Sequence, residues 1–147
     1  MSGGVSMFRT FCTMLAVAAG LIVSAPAQAS VVARISLSQQ RVDVMIDGAL
    51  AYSWPVSTAR RGFVTPTGSW RPIRTERMWY SRKYDMSPMP HSVFFYGGYA
   101  IHATGYVRSL GRPASHGCVR LHPKNAAIFY ALVRARGLGN ARVVIVR

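Results

Sequence analysis

One thiol, two histidines and an arginine crowd into a short part of this sequence. The segment reads Ile101-His102-Ala103-Thr104, a Gly- and Pro-containing stretch through Pro113, then Ser115-His116-Gly117-Cys118-Val119-Arg120-Leu121. A thiol that attacks a carbonyl needs a base, donors for the oxyanion and room for the carbonyl to approach. Either His102 or His116 can serve as the base. Gly117 removes bulk beside the thiol, and the amides around Gly117-Cys118 can form an oxyanion hole. Arg120 adds charge that favours thiolate and can hold a substrate carboxylate.

Each of these residues also has a plainer reading. A lone Cys is commonly a small buried hydrophobe, and a histidine at a strand end is commonly a satisfied polar group. Ser115 by itself is a turn hydroxyl before it is a functional one, and Arg120 is one arginine among sixteen. His122, beside Pro123, reads as part of a helix entry, and His91, following Pro90, has no assigned role. His102, His116, Cys118 and His122 could in principle form a zinc site. His116 and Cys118 are too close in sequence for the usual chelate, so no metal and no cofactor are expected.

The thiol gains weight from the N-terminus. Arg9 precedes an apolar stretch from Phe11 to Ala25, and Ala27-Gln28-Ala29 supplies a small-x-small cleavage pattern before Ser30. The apolar run is about 15 residues, short of the roughly 20 needed to span a bilayer. Residues 1–29 are therefore expected to be an export signal and 30–147 the working domain, with no transmembrane segment in the mature chain. Removing 29 of the 147 residues leaves 118 and takes Cys12 away, so Cys118 becomes the sole cysteine of an exported chain. A free thiol in an oxidising compartment is a liability unless it is used.

Composition narrows the class further. The chain carries 18 Lys+Arg against 4 Asp+Glu, a net charge of +14, and is 50% hydrophobic, too apolar for a disordered polycation. A nucleic-acid partner is not expected, because the longest basic runs are Arg60-Arg61 and Arg82-Lys83 in an exported protein.

The elements that must hold the thiol read as strands followed by one helix. Residues 31–38 and 42–46 alternate with period two, and Asp47-Gly48 suits a type I′ hairpin turn leading into a return strand over 49–57. Short strands are expected near 69–74, 93–96 and 99–102, with a long irregular loop over 75–91 because Pro72, Pro88 and Pro90 punctuate it. Pro123 to Arg136 reads as a helix closed by Gly137, with Ile128, Leu132 and Ala135 sharing a buried face with Phe129. Residues 142–147 end the chain as a Val/Ile strand. The fold class is a single, mostly β domain with one main helix over 123–136.

The ordered set of motifs resembles the signature of the L,D-transpeptidase catalytic domain, also called the YkuD or ErfK/YbiS family. His102 is followed, after about a dozen residues, by Ser115-His116-Gly117-Cys118, an apolar residue and Arg120. Gln39-Gln40, Val56-Ser57-Thr58, Thr65-Pro66-Thr67-Gly68 and the Leu110-Gly111-x-Pro113 lead-in stand in the family's order. The resemblance covers residues 31–147. It implies a β-sandwich-like catalytic domain acting on peptidoglycan stem peptides, with Cys118 as nucleophile and His102 as general base. His116 matches the second histidine of the motif, and Gly117 belongs to the oxyanion-hole region. The Ala103 backbone carbonyl would orient His102. The family usually has Gly or Ser at that position, so Ala103 departs from the pattern, and a carbonyl role survives the departure. Arg120 and Ser115 would contact substrate. Tyr80, Tyr96 and Tyr99 can line a groove, with aromatic packing the simpler role.

The resemblance also implies a thioester on Cys118 after release of D-alanine from a tetrapeptide stem. A second stem's amine as acceptor gives a 3–3 cross-link, and a lipoprotein lysine gives outer-membrane tethering. Water as acceptor makes the enzyme an L,D-carboxypeptidase. A non-catalytic basic wall-binding module is the remaining class. All place the protein in the periplasm or cell envelope.

Overall fold

The computed structural model describes residues 30–147 together with Met1 and Gly3, so the rest of the expected export signal, Cys12 included, lies outside the described residues. Alternating Val, Ala and Ile side chains form β1 (Val31–Ser36) and β2 (Arg41–Ile46), which bury Val31, Ala33, Ile35, Val42 and Val44. Asp47 and Gly48 take φ of 49° and 83° and turn the chain into β3 (Ala49–Pro55), as the type I′ chemistry requires. The later strands are β4 (Gly68–Trp70), β5 (Arg74–Ser81), β6 (Ser87–Tyr96), β7 (Tyr99–Ala103), β8 (Val119–Leu121) and β9 (Ala141–Val146). Helix α1 (Pro123–Arg136) starts with Pro in its first turn and ends at Gly137, whose φ is 89°.

The strands form a five-stranded sheet in the order β3-β2-β1-β9-β4 and a four-stranded sheet in the order β5-β6-β7-β8. β1 pairs in parallel with β9, and β7 in parallel with β8. The core is built from the inner residues of both sheets, including Val143 and Ile145 of β9 and Phe95, Ile101 and Leu121 of the smaller sheet. The helix adds Phe129 and Val133 to that core. Among the described residues, no helix is long and apolar enough to cross a membrane.

Two expectations need correction. The span 75–91 is largely a β-hairpin, with Tyr80 opposite Pro88 and Met78 opposite Pro90. Pairing of β6 with β7 begins at Val93, so Pro88 and Pro90 lie where β6 has a neighbour on one side, and their missing N–H groups break no ladder. The helix also buries a different stripe, Ala126, Phe129, Tyr130 and Val133, and leaves Ile128 38% exposed. Both stripes have helical spacing, and the one bearing two aromatic rings has more area to bury against the sheet.

Phe95 is among the largest fully buried side chains. Phe95→Ala is expected to lower stability by about 3–5 kcal/mol, read as a shift of the urea unfolding midpoint.

Candidate active site

The smaller sheet has two working faces. In β7 and β8, Ile101 pairs with Val119, His102 with Arg120 and Ala103 with Leu121. Side chains alternate across a strand. Ile101, Ala103, Val119 and Leu121 therefore enter the core, while His102, Cys118 and Arg120 reach the opposite face and line one cavity.

The turn that carries the thiol is held from within and from outside. The Ser115 hydroxyl donates to the Cys118 carbonyl at 2.7 Å and accepts the Gly117 N–H at 3.0 Å. Thr65 donates its hydroxyl to the Gly117 carbonyl at 2.7 Å. Segment 57–60 straps the turn by backbone bonds: Ser57 and Arg120 exchange N–H···O contacts at 3.0 and 2.9 Å, and Ser115 N–H reaches the Thr58 carbonyl at 2.8 Å. Buried Gln40 fixes that strap in turn, donating to the Thr58 hydroxyl at 2.6 Å and accepting the Thr58 N–H at 2.9 Å. Gly117 has φ of 138°, and a Cβ there would sit 2.7 Å from Tyr99 Cε1 and 2.9 Å from the Val64 carbonyl oxygen. The position admits glycine alone without rearrangement.

These contacts revise two expected roles. Ser115 is 1% exposed with its hydroxyl engaged inside the turn, so it positions the thiol instead of reaching for substrate. The Gly117 N–H is already held by Ser115 and is not an open oxyanion donor. Thr65 opens the Thr65-Pro66-Thr67-Gly68 run, and its grip on Gly117 joins segments far apart in the chain.

His102 is buried, and its Nδ1 donates to the Ala103 carbonyl at 2.7 Å. A carbonyl only accepts, so the proton sits on Nδ1 and Nε2 keeps its lone pair. Burial lowers the His102 pKa to about 4; the Ala103 carbonyl opposes this, and the Arg120 charge reinforces it. Burial likewise pushes the Cys118 thiol up, against the Ala100 N–H and Arg120, which both favour thiolate. Arg120 acts on the thiol with the sign read from the sequence, but desolvation outweighs it. The resting pair is thiol and neutral imidazole, and the thiol donates loosely to the Gly98 carbonyl at 3.9 Å.

His116 serves differently. Its Nε2 accepts from Arg60 Nη2 at 2.9 Å, since a guanidinium can only donate. Its ring stacks on Tyr84 with centroids 4.3 Å apart and meets the edge of Phe63 at 4.7 Å. Desolvation, then Arg60 and Arg120, lower its pKa. With Nε2 engaged by Arg60, His116 differs from His102, whose Nε2 has no hydrogen-bond partner among the described residues. Arg120 packs its guanidinium 5.7 Å from the Tyr106 ring centroid and donates to the Ala114 carbonyl at 3.4 Å.

The cavity has a volume of about 1160 Å³ and lies beneath the β5–β6 hairpin tip. Trp79, Met89 and Phe94 supply apolar wall, and Tyr99 also lines it. Arg74, Arg82, Lys83 and Arg120 line it as well, and no described Asp or Glu does. Tyr80 and Tyr96 are not among its walls. His122 caps α1, its Nδ1 accepting the Lys124 N–H at 3.3 Å, and His91 packs against Tyr130. Neither reaches the cavity. Among the described residues, no group of three or more His, Cys, Asp or Glu could hold a metal ion.

A thiol and a neutral imidazole sharing one face of a cavity are groups chemically suited to acyl transfer. Residues 30–145 match the family model of the L,D-transpeptidase catalytic domain (YkuD), and the chain belongs to that family. Solved L,D-transpeptidases share the fold. The structure from Mycobacterium smegmatis superposes with a TM-score of 0.72 at 23% identity, covering 80% of this chain and 59% of that one. One from Mycobacterium tuberculosis gives 0.72 at 24%, covering 80% and 58%. One from Stackebrandtia nassauensis gives 0.72 at 24%, covering 88% and 61%. The chain thus spans about three-fifths of the length of these relatives. No curated protein matches it.

Two outcomes are expected from the titrations. Cys118 alkylation by iodoacetamide should be slow at pH 7 and rise only above the range of an ordinary thiol, about 8.5; a rate plateau at pH 6–7 would reveal a thiolate–imidazolium pair instead. The unfolded chain protonates His102 near 6.5, whereas the folded protein resists until about 4. The stability that His102 contributes is therefore complete above 6.5 and lost as pH falls toward 4, a loss of about 3 kcal/mol. Urea titrations across that window should show a flatter acid limb in His102→Gln.

Proposed function

We propose that this protein is a peptidoglycan L,D-transpeptidase using Cys118 for acyl transfer. Cys118 Sγ attacks the carbonyl of the third, diamino-acid residue of a tetrapeptide stem while His102 Nε2 takes the thiol proton. The tetrahedral intermediate collapses, His102 returns the proton to the leaving amine, and D-alanine departs. The thioester that remains is attacked by an acceptor amine, whose proton passes to His102 and back to sulfur as the product leaves. The observation that carries this reading is the tautomer of His102, fixed by the Ala103 carbonyl with Nε2 free on the cavity face. A neutral imidazole beside a protonated thiol has the free lone pair needed to take the proton as the sulfur attacks.

The other residues take supporting parts. Arg120 offers a guanidinium for a substrate carboxylate, and Ser115, Thr65 and Gly117 set the turn. With the Gly117 amide engaged, the Cys118 amide is the nearest remaining backbone candidate for the oxyanion. The cation-lined cavity supports a carboxylate-bearing peptide substrate. The acceptor is a second stem or a lipoprotein lysine, with water giving the L,D-carboxypeptidase variant of the same chemistry. The protein works outside the cytoplasm, in the periplasm or envelope, with residues 1–29 as its export signal and 30–147 as its catalytic domain.

Intact-mass analysis of the protein mixed with a tetrapeptide stem tests the proposal. An adduct equal to the stem without D-alanine is expected, and it should be absent in Cys118→Ser. Folded protein that gives neither adduct nor D-alanine release would sink the reading. Product analysis with and without an added acceptor stem separates cross-linking from hydrolysis. A Cys118→Ala variant that retained full biological activity would favour a non-catalytic wall-binding module.

A further inference from the structure

The wall beside Cys118 leads to a second guanidinium. Cys118 packs against a small apolar cluster of Met89, Phe94 and Ala100, with Trp79 alongside. Arg74 lies on the same wall: its guanidinium carbon is 3.7 Å from the Phe94 ring centroid and 4.5 Å from that of Trp79. The sheet dictates this placement, because Arg74 on β5 is the cross-strand partner of Phe94 on β6. An apolar strip therefore joins the nucleophile to a cation held flat on aromatic rings.

That cation is oriented and still has donors to give. Arg74 Nη1 bonds Glu76 Oε1 at 2.8 Å, which is the guanidinium's one hydrogen bond among the described residues. A guanidinium carries five N–H donors, so Glu76 aligns the group without saturating it. Glu76 itself is not part of the cavity wall, whereas Arg74 is. Glu76 offsets some of the Arg74 charge, yet the wall as a whole holds four cations and no described carboxylate.

We propose that Arg74 determines donor specificity by binding a carboxylate at the end of the side chain of the residue whose carbonyl Cys118 attacks. The inference rests on the acyl-transfer reading above and adds the chemistry of the donor. The methylenes of a long side chain lie along Met89, Phe94 and Trp79, and the terminal carboxylate meets the guanidinium. A donor ending in a bare ammonium meets Arg74, Arg82, Lys83 and Arg120 with no acid on the wall to offset them. Amidation of the terminal carboxylate removes the charge-assisted hydrogen bond and leaves a weaker neutral one.

The test uses three tetrapeptide donors that differ only at the end of the third residue's side chain: free carboxylate beside the amine, carboxamide beside the amine, or the amine alone. D-alanine release gives kcat/KM for each. The free acid should exceed the carboxamide by about tenfold or more, the size of a hydrogen bond to a charged group, with the amine-only donor poorest. Arg74→Gln should bring the acid-to-amide ratio close to one by raising KM for the acid, and Arg74→Lys should keep part of it. Arg142→Gln removes the same charge from β9, where Arg142 bonds Ser69 away from the cavity, and should keep the full ratio. Equal use of acid and amide by the unmodified protein, or a full ratio in folded Arg74→Gln, would overturn the proposal. If no donor releases D-alanine, the acyl-transfer reading fails. Binding of the same peptides to Cys118→Ser then still decides on Arg74, since equal affinity for acid and amide overturns its role and tighter binding of the acid supports it.

Discussion

The parallel pairing of β7 with β8 is the constraint on which the site depends. It sets His102 beside Arg120 and brings Cys118, two residues earlier, to the same face. A slip of one residue in either strand would send that strand's functional groups into the core and its Val, Ile or Leu residues into the cavity. Register is secured on both sides of the thiol. The core residues Ile101, Val119 and Leu121 lock one face, and the strap from Ser57 to Arg60 locks the free edge of β8. Gln40 and Thr58 reach the turn through that strap and Thr65 bonds it directly, so groups remote in sequence set the position of one sulfur atom.

Two opposing electrostatic effects meet in this small volume. The chain is strongly basic, and its charges by themselves would drive Cys118 toward thiolate and His102 toward the neutral form. Burial agrees with the second tendency and overrides the first. A local desolvation penalty defeats a global charge because surface cations are screened by solvent more than the half-buried thiol is. The basic surface then matters mainly for what approaches the cavity, and the buried groups matter for what happens inside it.

Local chemistry was readable wherever neighbours in sequence are also neighbours in space. Asp47-Gly48 and the Pro123 and Gly137 ends of the helix declare themselves because each is decided by its own backbone preferences. The hydrogen bond between His102 and the Ala103 carbonyl was legible for a related reason, since the ring and the carbonyl belong to adjacent residues. Pro88 and Pro90 misled because their effect depends on whether β6 has a neighbour on that side. Ile128 misled because two helical stripes compete and the sheet chooses between them. The hydrogen bonds that hold Ser115 and Gly117 inside the turn were not legible, because they depend on how the turn folds back on itself. Arg60 and Tyr84 carry no local mark, as each acts on His116 from a distant segment.

Keeping Cys118 protonated also bears on how long the protein stays competent. Peroxides and disulfides, like alkylating agents, react with the thiolate form of sulfur. The same burial that makes the sulfur a poor resting nucleophile therefore slows its oxidation, and Cys118 has no described cysteine nearby to capture it in a disulfide. A thiol that rests protonated ages more slowly than one displayed continuously as thiolate.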